Sequence, residues 1–166
     1  MIQMSSVCLN MIVKNESHII ETTLINITKH IKFDYWVICD TGSTDNTINI
    51  IQSFFKKLNI PGEVHQHIWK NFAHNRNLSL ELCFNKSDYI FIFDADDEIC
   101  GNFILPNLIK DSYQVKFGGG YAYNRICIIN NSKKWKYFGV LHEVLICQED
   151  VAESELIEGN YYFISG

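Results

Sequence analysis

The stretch YIFIFDADDE, Tyr89–Glu98, sets five apolar or aromatic residues directly against the carboxylates Asp94, Asp96, Asp97 and Glu98. A short run rich in aromatic and β-branched side chains reads as a buried strand. The carboxylates therefore arrive at a strand's end, where open α/β sheets bind their ligands. So many acids in five positions repel one another unless a cation offsets the charge. Asp94 and Asp96, two apart, are expected on one side of an extended segment. An oxygen-rich pair of this kind suits Mg²⁺ or Mn²⁺. The plainer alternative is a solvated acidic turn after a core strand.

Working back toward the N-terminus, strand and helix signals alternate. Val7–Val13 (VCLNMIV) and Tyr35–Cys39 (YWVIC), the latter ending at Asp40, are buried-strand runs. Between them Ile20, Leu24, Ile27 and Ile31 fall on one helical face, with Asn15 or Ser17 placed to cap it. After DTGSTDNT, a second helix carries Ile48, Ile51, Phe55 and Leu58 on one side. Ser43, Thr44 or Asp45 is its expected cap, and Pro61-Gly62 closes it. Glu63–Ile68 is a third strand and Phe72–Phe84 a third helix. Such alternation predicts right-handed crossovers and a mostly parallel, Rossmann-like sheet flanked by helices.

After Glu98 the texture changes. A short helix is expected over Phe103–Ile109. Strands follow at Tyr113–Phe117, Tyr121–Ile129 (after Gly118–Gly120), Val140–Ile146 and Leu156–Ile164, with a turn at Asn130-Asn131, and this half reads as antiparallel. The chain of 166 residues, 47% hydrophobic and 20% charged, fits one folded domain. Its formal charge of −5 argues against nucleic acid, which wants a basic stripe. Six scattered cysteines with no C-x-x-C pair read as free thiols of a reducing, cytoplasmic compartment. No apolar run is long enough to span a membrane, and the opening residues lack a signal-peptide pattern. The ending YYFISG has no polar tail, so the natural protein is expected to continue. The abundance of Ile, Asn and Lys suggests an AT-rich genome, a viral one among the candidates.

In their order, LNMIVKNES (9–17), DYWVICDTGSTDNT (34–47), FAHNRNLSLE (72–81), YIFIFDADDE and VLHEV (140–144) resemble the family 2 glycosyltransferases of the GT-A fold. The similarity is greatest to a short bacterial and viral subgroup that includes peptide and protein glycosyltransferases. The resemblance implies a metal-dependent, inverting transfer of a sugar from a nucleoside-diphosphate donor, UDP favoured, to an acceptor hydroxyl on a protein, a glycan or a small molecule. It implies one catalytic domain, with residues 1–98 as the nucleotide-sugar half and 99–166 as the acceptor half.

The resemblance also implies roles for single residues. Val13, Asn15 and Glu16 line the base and ribose pocket, and Asp40 contacts the base, where a charge-assisted hydrogen bond discriminates well. Arg76, near a helix N-terminus, faces the nucleotide. Asp94 and Asp96 hold Mn²⁺ or Mg²⁺ with His142 as a third ligand, and Asp94 also contacts the donor. Glu143 is the candidate base that takes the acceptor's proton, and Asp97 is its competitor. Neighbours on a strand face opposite ways, so His142 and Glu143 both reach a cleft only if the strand bulges. Trp135 is a candidate sugar platform, whereas Trp69 is expected in the core. His65 and His67 share a strand face but have no evident third ligand.

Two rivals remain at this level. Haloacid-dehalogenase-like phosphatases also end an apolar strand in Asp-x-Asp and use the first Asp as nucleophile. This chain lacks their Thr or Val after the second Asp, and its motif lies mid-chain. The other rival is a non-catalytic nucleotide-sugar-binding module.

Overall fold

The apolar runs become strands, and the 3.6-residue periodicities become helices. The computed structural model describes residues 4–118, 122–140, 142–149 and 152–166. Tyr121 and Leu141 of the expected strands, and Gly119 and Gly120 between two of them, lie outside the described residues. In chain order the elements begin with β1 (Val7–Val13), α1 (Ile20–His30), β2 (Tyr35–Asp40), α2 (Thr47–Leu58), β3 (Gly62–Gln66), α3 (Phe72–Leu82) and β4 (Tyr89–Ile92). Strands follow: β5 (Asp97–Gly101), β6 (Ser112–Phe117), β7 (Tyr123–Asn130), β8 (Trp135–Phe138), β9 (Val144–Cys147), β10 (Ser154–Leu156) and β11 (Tyr161–Ser165).

The main sheet has the order β3-β2-β1-β4-β7-β6-β11-β5, with β10 added alongside β6. Strands β3, β2, β1 and β4 are mutually parallel, and β7 runs antiparallel to β4. Side chains alternate across this sheet. Leu9, Met11 and Ile38 face Leu24, Ile27, Ile51 and Phe55 of α1 and α2. Cys8, Val37 and Cys39 face Ala73 and Leu80 of α3, and Cys83 just after it, on the other side. The cysteines of the described residues are free. Trp36 stacks on Phe55 with centroids 4.6 Å apart. A Cβ at position 62 would lie 2.2 Å from the Trp36 ring, so this position must be glycine. Among the described residues no helix is long and apolar enough to cross a membrane.

Several expectations change. The segment expected as a helix over Phe103–Ile109 is irregular. Pro106 removes a backbone donor and disfavours helix in the residue before it. The segment instead buries Phe103 and Leu108 and leaves Ile104 and Ile109 exposed. The C-terminal half is mixed. Strands β6 and β7, β5 and β11, and β8 and β9 pair antiparallel, but β10 and β11 run parallel to β6. The five-residue pairing with β5 sets the direction of β11 and leaves only Phe163↔Phe117 for β6. Leu58, in the last turn of α2 beside the left-handed Asn59, is exposed.

Neither α1 nor α2 has a side-chain cap at its N-cap residue. Of the residues expected to cap, Asp45 takes the N–H of Thr47 at the start of α2, and the others tie two loops together. Asn15 accepts from the Thr44 N–H at 2.8 Å and donates its own N–H to Ser43 Oγ at 2.8 Å. Asp45 accepts from Ser17 N–H and Thr47 N–H, each at 3.0 Å. Helix α3 is capped, with Asn71 accepting from His74 N–H at 2.8 Å.

At the sheet edge, Glu63 on β3 accepts from Lys86, from Tyr35 Oη at 2.6 Å and from His65 at 2.7 Å. These bonds, that of Lys86 foremost, hold its carboxyl down at about 2. A carboxyl lowered in the folded state contributes stability above its unfolded value, about 4.3, and loses it as pH falls through the folded value. Between pH 4.5 and 2 the wild type should therefore lose stability more steeply than Glu63→Gln in urea titrations. Parallel slopes would refute this.

Candidate active site

Strands β1 and β4 lie side by side while their connections leave toward opposite edges of the sheet, so a crevice opens at their carboxyl ends. Strand β4 delivers Phe93 to the core and then Asp94 to this crevice. The chain turns at once. Asp97 N–H donates to Asp94 O at 3.1 Å, and Thr23 Oγ1 of α1 donates to Ala95 O at 2.7 Å. The extended arrangement expected for Asp94 and Asp96 is therefore replaced by a turn. Strand β5 starts at Asp97 and must reach β11, and the reversal buries Ala95 while Asp94 and Asp96 both line one cavity. Asp94 points inward and Asp96 is exposed.

Two arginines bind the inward carboxylates. Arg76 Nη1 lies 2.7 Å from Asp94 Oδ1, and its Nε lies 3.0 Å from Glu143 Oε1. Arg125 reaches Asp94 Oδ2 at 3.2 Å and Asp97 Oδ2 at 2.7 Å, with its guanidinium 4.3 Å from the Phe117 ring centroid. Ser165 Oγ donates to the other oxygen of Asp97. Burial alone would raise the Asp94 carboxyl, but Arg76 and then Arg125 outweigh it and hold the group below the usual range. At Asp97 burial wins over Arg125, and the carboxyl is raised. Glu16 is raised as well, chiefly by burial, with Asp96 and Asp45 adding repulsion.

The Arg76–Asp94 pair forms a wall shared by two cavities. One, of about 460 Å³, is lined by Val13, Glu16, Trp69, Phe72 and Asp96 besides the pair itself. The other, of about 510 Å³, is lined by Arg125, Tyr137, His142 and Glu143 on its side of the pair. Reciprocal bonds between Asn77 and the Tyr137 backbone, 2.9 and 2.7 Å, pin α3 to β8 and fix the second cavity's wall.

The crevice thus unites Val13, Glu16, Arg76, Asp94 and Asp96, and places His142 and Glu143 across the wall. Asp40 lines neither cavity. It is fully buried, and its carboxylate accepts from Gly42 N–H at 3.1 Å and Ser43 N–H at 3.0 Å. Asn15, with φ of 56°, is exposed in the loop-to-loop bonds already described. Asp97 has no exposed side-chain surface. Asp96 and His142 open onto different cavities, and among the described residues no group of three or more His, Cys, Asp or Glu is arranged to hold a metal. The strand expected over Val140–Ile146 begins only at Val144, because Gly139 and His142 have φ of 105° and 58°. That break lets Glu143 turn to Arg76. Trp135 lies against a separate cavity beside Phe84.

The sequence reading missed Arg125, Trp69 and Phe72. An arginine inside YNRICIIN was the available signal, because a charge in a buried strand needs a partner. Trp69 and Phe72 pack edge to face at 4.8 Å and remain partly exposed at the first cavity instead of joining the core. The phosphatase reading needs Asp94 as a free nucleophile, yet both its oxygens are in arginine ion pairs.

The sequence profile of glycosyl transferase family 2 matches residues 8–111, from the second residue of β1 through β5, the carboxylate turn included. The chain belongs to glycosyl transferase family 2. No curated protein matches the sequence. Solved GT-A structures share the fold. TarS of S. aureus, residues 1–349 in complex with UDP, is 21% identical over 68% of this chain, with a TM-score of 0.55. GalNAc-T7 with UDP, GalNAc and Mn²⁺ is 12% identical over 89%, at 0.57. The mannosyltransferase PcManGT of Pyrobaculum calidifontis with GDP-Man and Mn²⁺ is 22% identical over 58%, at 0.50. The family 2 chain spans 36%, 30% and 29% of those three proteins, respectively.

Proposed function

We propose that this chain is a glycosyltransferase catalytic domain that moves a sugar from a nucleoside-diphosphate donor, UDP favoured, to an acceptor hydroxyl with inversion. The observation that carries the reading is Arg76 bound to both Asp94 and Glu143 at the wall between two cavities. Donor and acceptor sides then meet at one ion pair. Residues 1–98 form the donor half and 99–166 the acceptor half.

The first cavity takes the nucleotide. Val13 and Glu16 line it at the end of β1, and Trp69 and Phe72 offer aromatic faces to a base. An Asp40 contact with the base requires its bonds to Gly42 and Ser43 to be exchanged. Arg76 lies on the second turn of α3, where its fork suits a diphosphate. Once Arg76 turns to phosphate, Glu143 loses its cation and becomes free to take the acceptor's proton. Asp97 is the weaker candidate base, because it is sealed behind Arg125 and Ser165 and cannot reach a substrate.

The exposed Asp96 carboxylate on the donor cavity fits a divalent ion, which commonly keeps one or two carboxylates and fills its other positions with phosphate and water. Asp96 would hold Mn²⁺ or Mg²⁺, joined by Asp94 after it gives up an arginine, with His142 as the more distant candidate. Such an ion, when bound, supplies positive charge to the departing diphosphate.

A thermal-shift panel of nucleotides and nucleotide sugars, with and without Mn²⁺, tests this reading. At a hundredfold excess over Kd, a ligand adds about 2.7 kcal/mol, or roughly 5–10 °C for a chain of this size. UDP or GDP ligands should give such a shift only with Mn²⁺, and Asp96→Ala should abolish it. Absence of a shift with every nucleotide would reject the proposal.

A further inference from the structure

The two arginines of the second cavity have no charge to spare. Arg76 is committed to Asp94 and Glu143, and Arg125 to Asp94 and Asp97. Three carboxylates thus surround two guanidiniums, and among the described residues no lysine lines this cavity. The remaining polar lining is the His142 imidazole and two amides. Gln114 and Asn124 face the space from β6 and β7, and an amide offers both donor and acceptor to a hydroxyl. Tyr137 and Leu145 supply an apolar side. Arrival of a diphosphate that recruits Arg76 would leave this wall more negative still. A phosphate or carboxylate on the acceptor would then meet uncompensated like charge, which costs several kcal/mol at close range.

We infer that this cavity selects an uncharged sugar as acceptor and rejects phosphate- or carboxylate-bearing ones. The inference rests on the glycosyltransferase reading above and names the substrate class of its acceptor side. The about 510 Å³ available lies within the range of ordinary small-ligand pockets, about 300–1,000 Å³. Amides with an apolar wall match the hydroxyl edge and the C–H face of a sugar ring. No bond forms to the protein. The acceptor oxygen replaces the diphosphate on the donor's anomeric carbon, and the acceptor proton passes to Glu143.

The test uses the full chain, Mn²⁺ and the nucleotide sugar that stabilises it most, and follows nucleoside-diphosphate release together with glycoside formation. Acceptors are matched sets: neutral methyl glycosides, the corresponding sugar 6-phosphates and the corresponding uronic acids. Transfer to neutral members should exceed transfer to anionic ones by about tenfold or more, the ratio that 1.4 kcal/mol produces. Asn124→Lys, which adds an unpaired cation to the wall, should shift that ratio toward the anionic members. Equal or better use of anionic acceptors overturns the inference. So does donor hydrolysis without transfer to any neutral sugar, and in both cases the donor chemistry stands. Absence of nucleotide release to water or to any acceptor instead rejects the underlying activity.

Discussion

Glu143→Gln should lower sugar transfer by about 10²–10⁴-fold, the usual worth of a positioned general base, while nucleotide binding with Mn²⁺ persists. The substitution keeps the size of the side chain and its ability to accept from Arg76 Nε, now 3.0 Å away. It removes the capacity to take a proton together with the negative charge that pairs with Arg76. Initial rates and a nucleotide thermal shift on the same preparation separate the two effects. Retention of full activity would eliminate Glu143 as the base. The break in the backbone before it makes this residue the reachable carboxylate of the second cavity. Asp94 is held by two arginines, and Asp97 is sealed.

Arg125→Met should be the most damaging change to stability. Arg125 sits between two buried carboxylates, and removing one partner of a buried ion pair costs about 3–5 kcal/mol. For a chain of this size that is a Tm loss of about 10 °C at neutral pH. The pH dependence has a definite sign. The Asp97 carboxyl is already raised by burial against the pull of Arg125, and it rises further when that cation is gone. A carboxyl raised in the folded state contributes stability below its unfolded value, about 3.9, and loses it as pH climbs through the folded value. The deficit of the variant should therefore be smallest near pH 4 and grow toward pH 7. Adding Asp97→Asn should recover part of it. A Tm within 2 °C of wild type across this range would show that Arg125 does not compensate these carboxylates.

Much of the N-terminal half was legible in the chain itself. VCLNMIV and YWVIC carry uninterrupted apolar runs because parallel strands are covered on both faces, and they became β1 and β2 as read. The spacing of Ile20, Leu24 and Ile27 sufficed for α1, since a buried stripe at helical period has few other uses. Asp94, Arg76 and Glu143, singled out far apart in sequence, come together in space, with Arg76 within hydrogen-bond distance of both carboxylates. Asp40 shows the opposite case. A carboxylate at a strand end serves a ligand or the next turn equally well, and here the Gly42 and Ser43 amides occupy it.

The local pattern of side chains determined which segments are strands and helices, and that carboxylates stand at the end of β4, because burial periodicity is a property of neighbours along the chain. The turn between Asp94 and Asp96, the pairing of Arg125 with Asp94 and Asp97, and the direction of β11 were decided only in three dimensions. Each depends on partners about thirty or more residues away, where distance and dielectric set the interaction and sequence spacing carries no record of it.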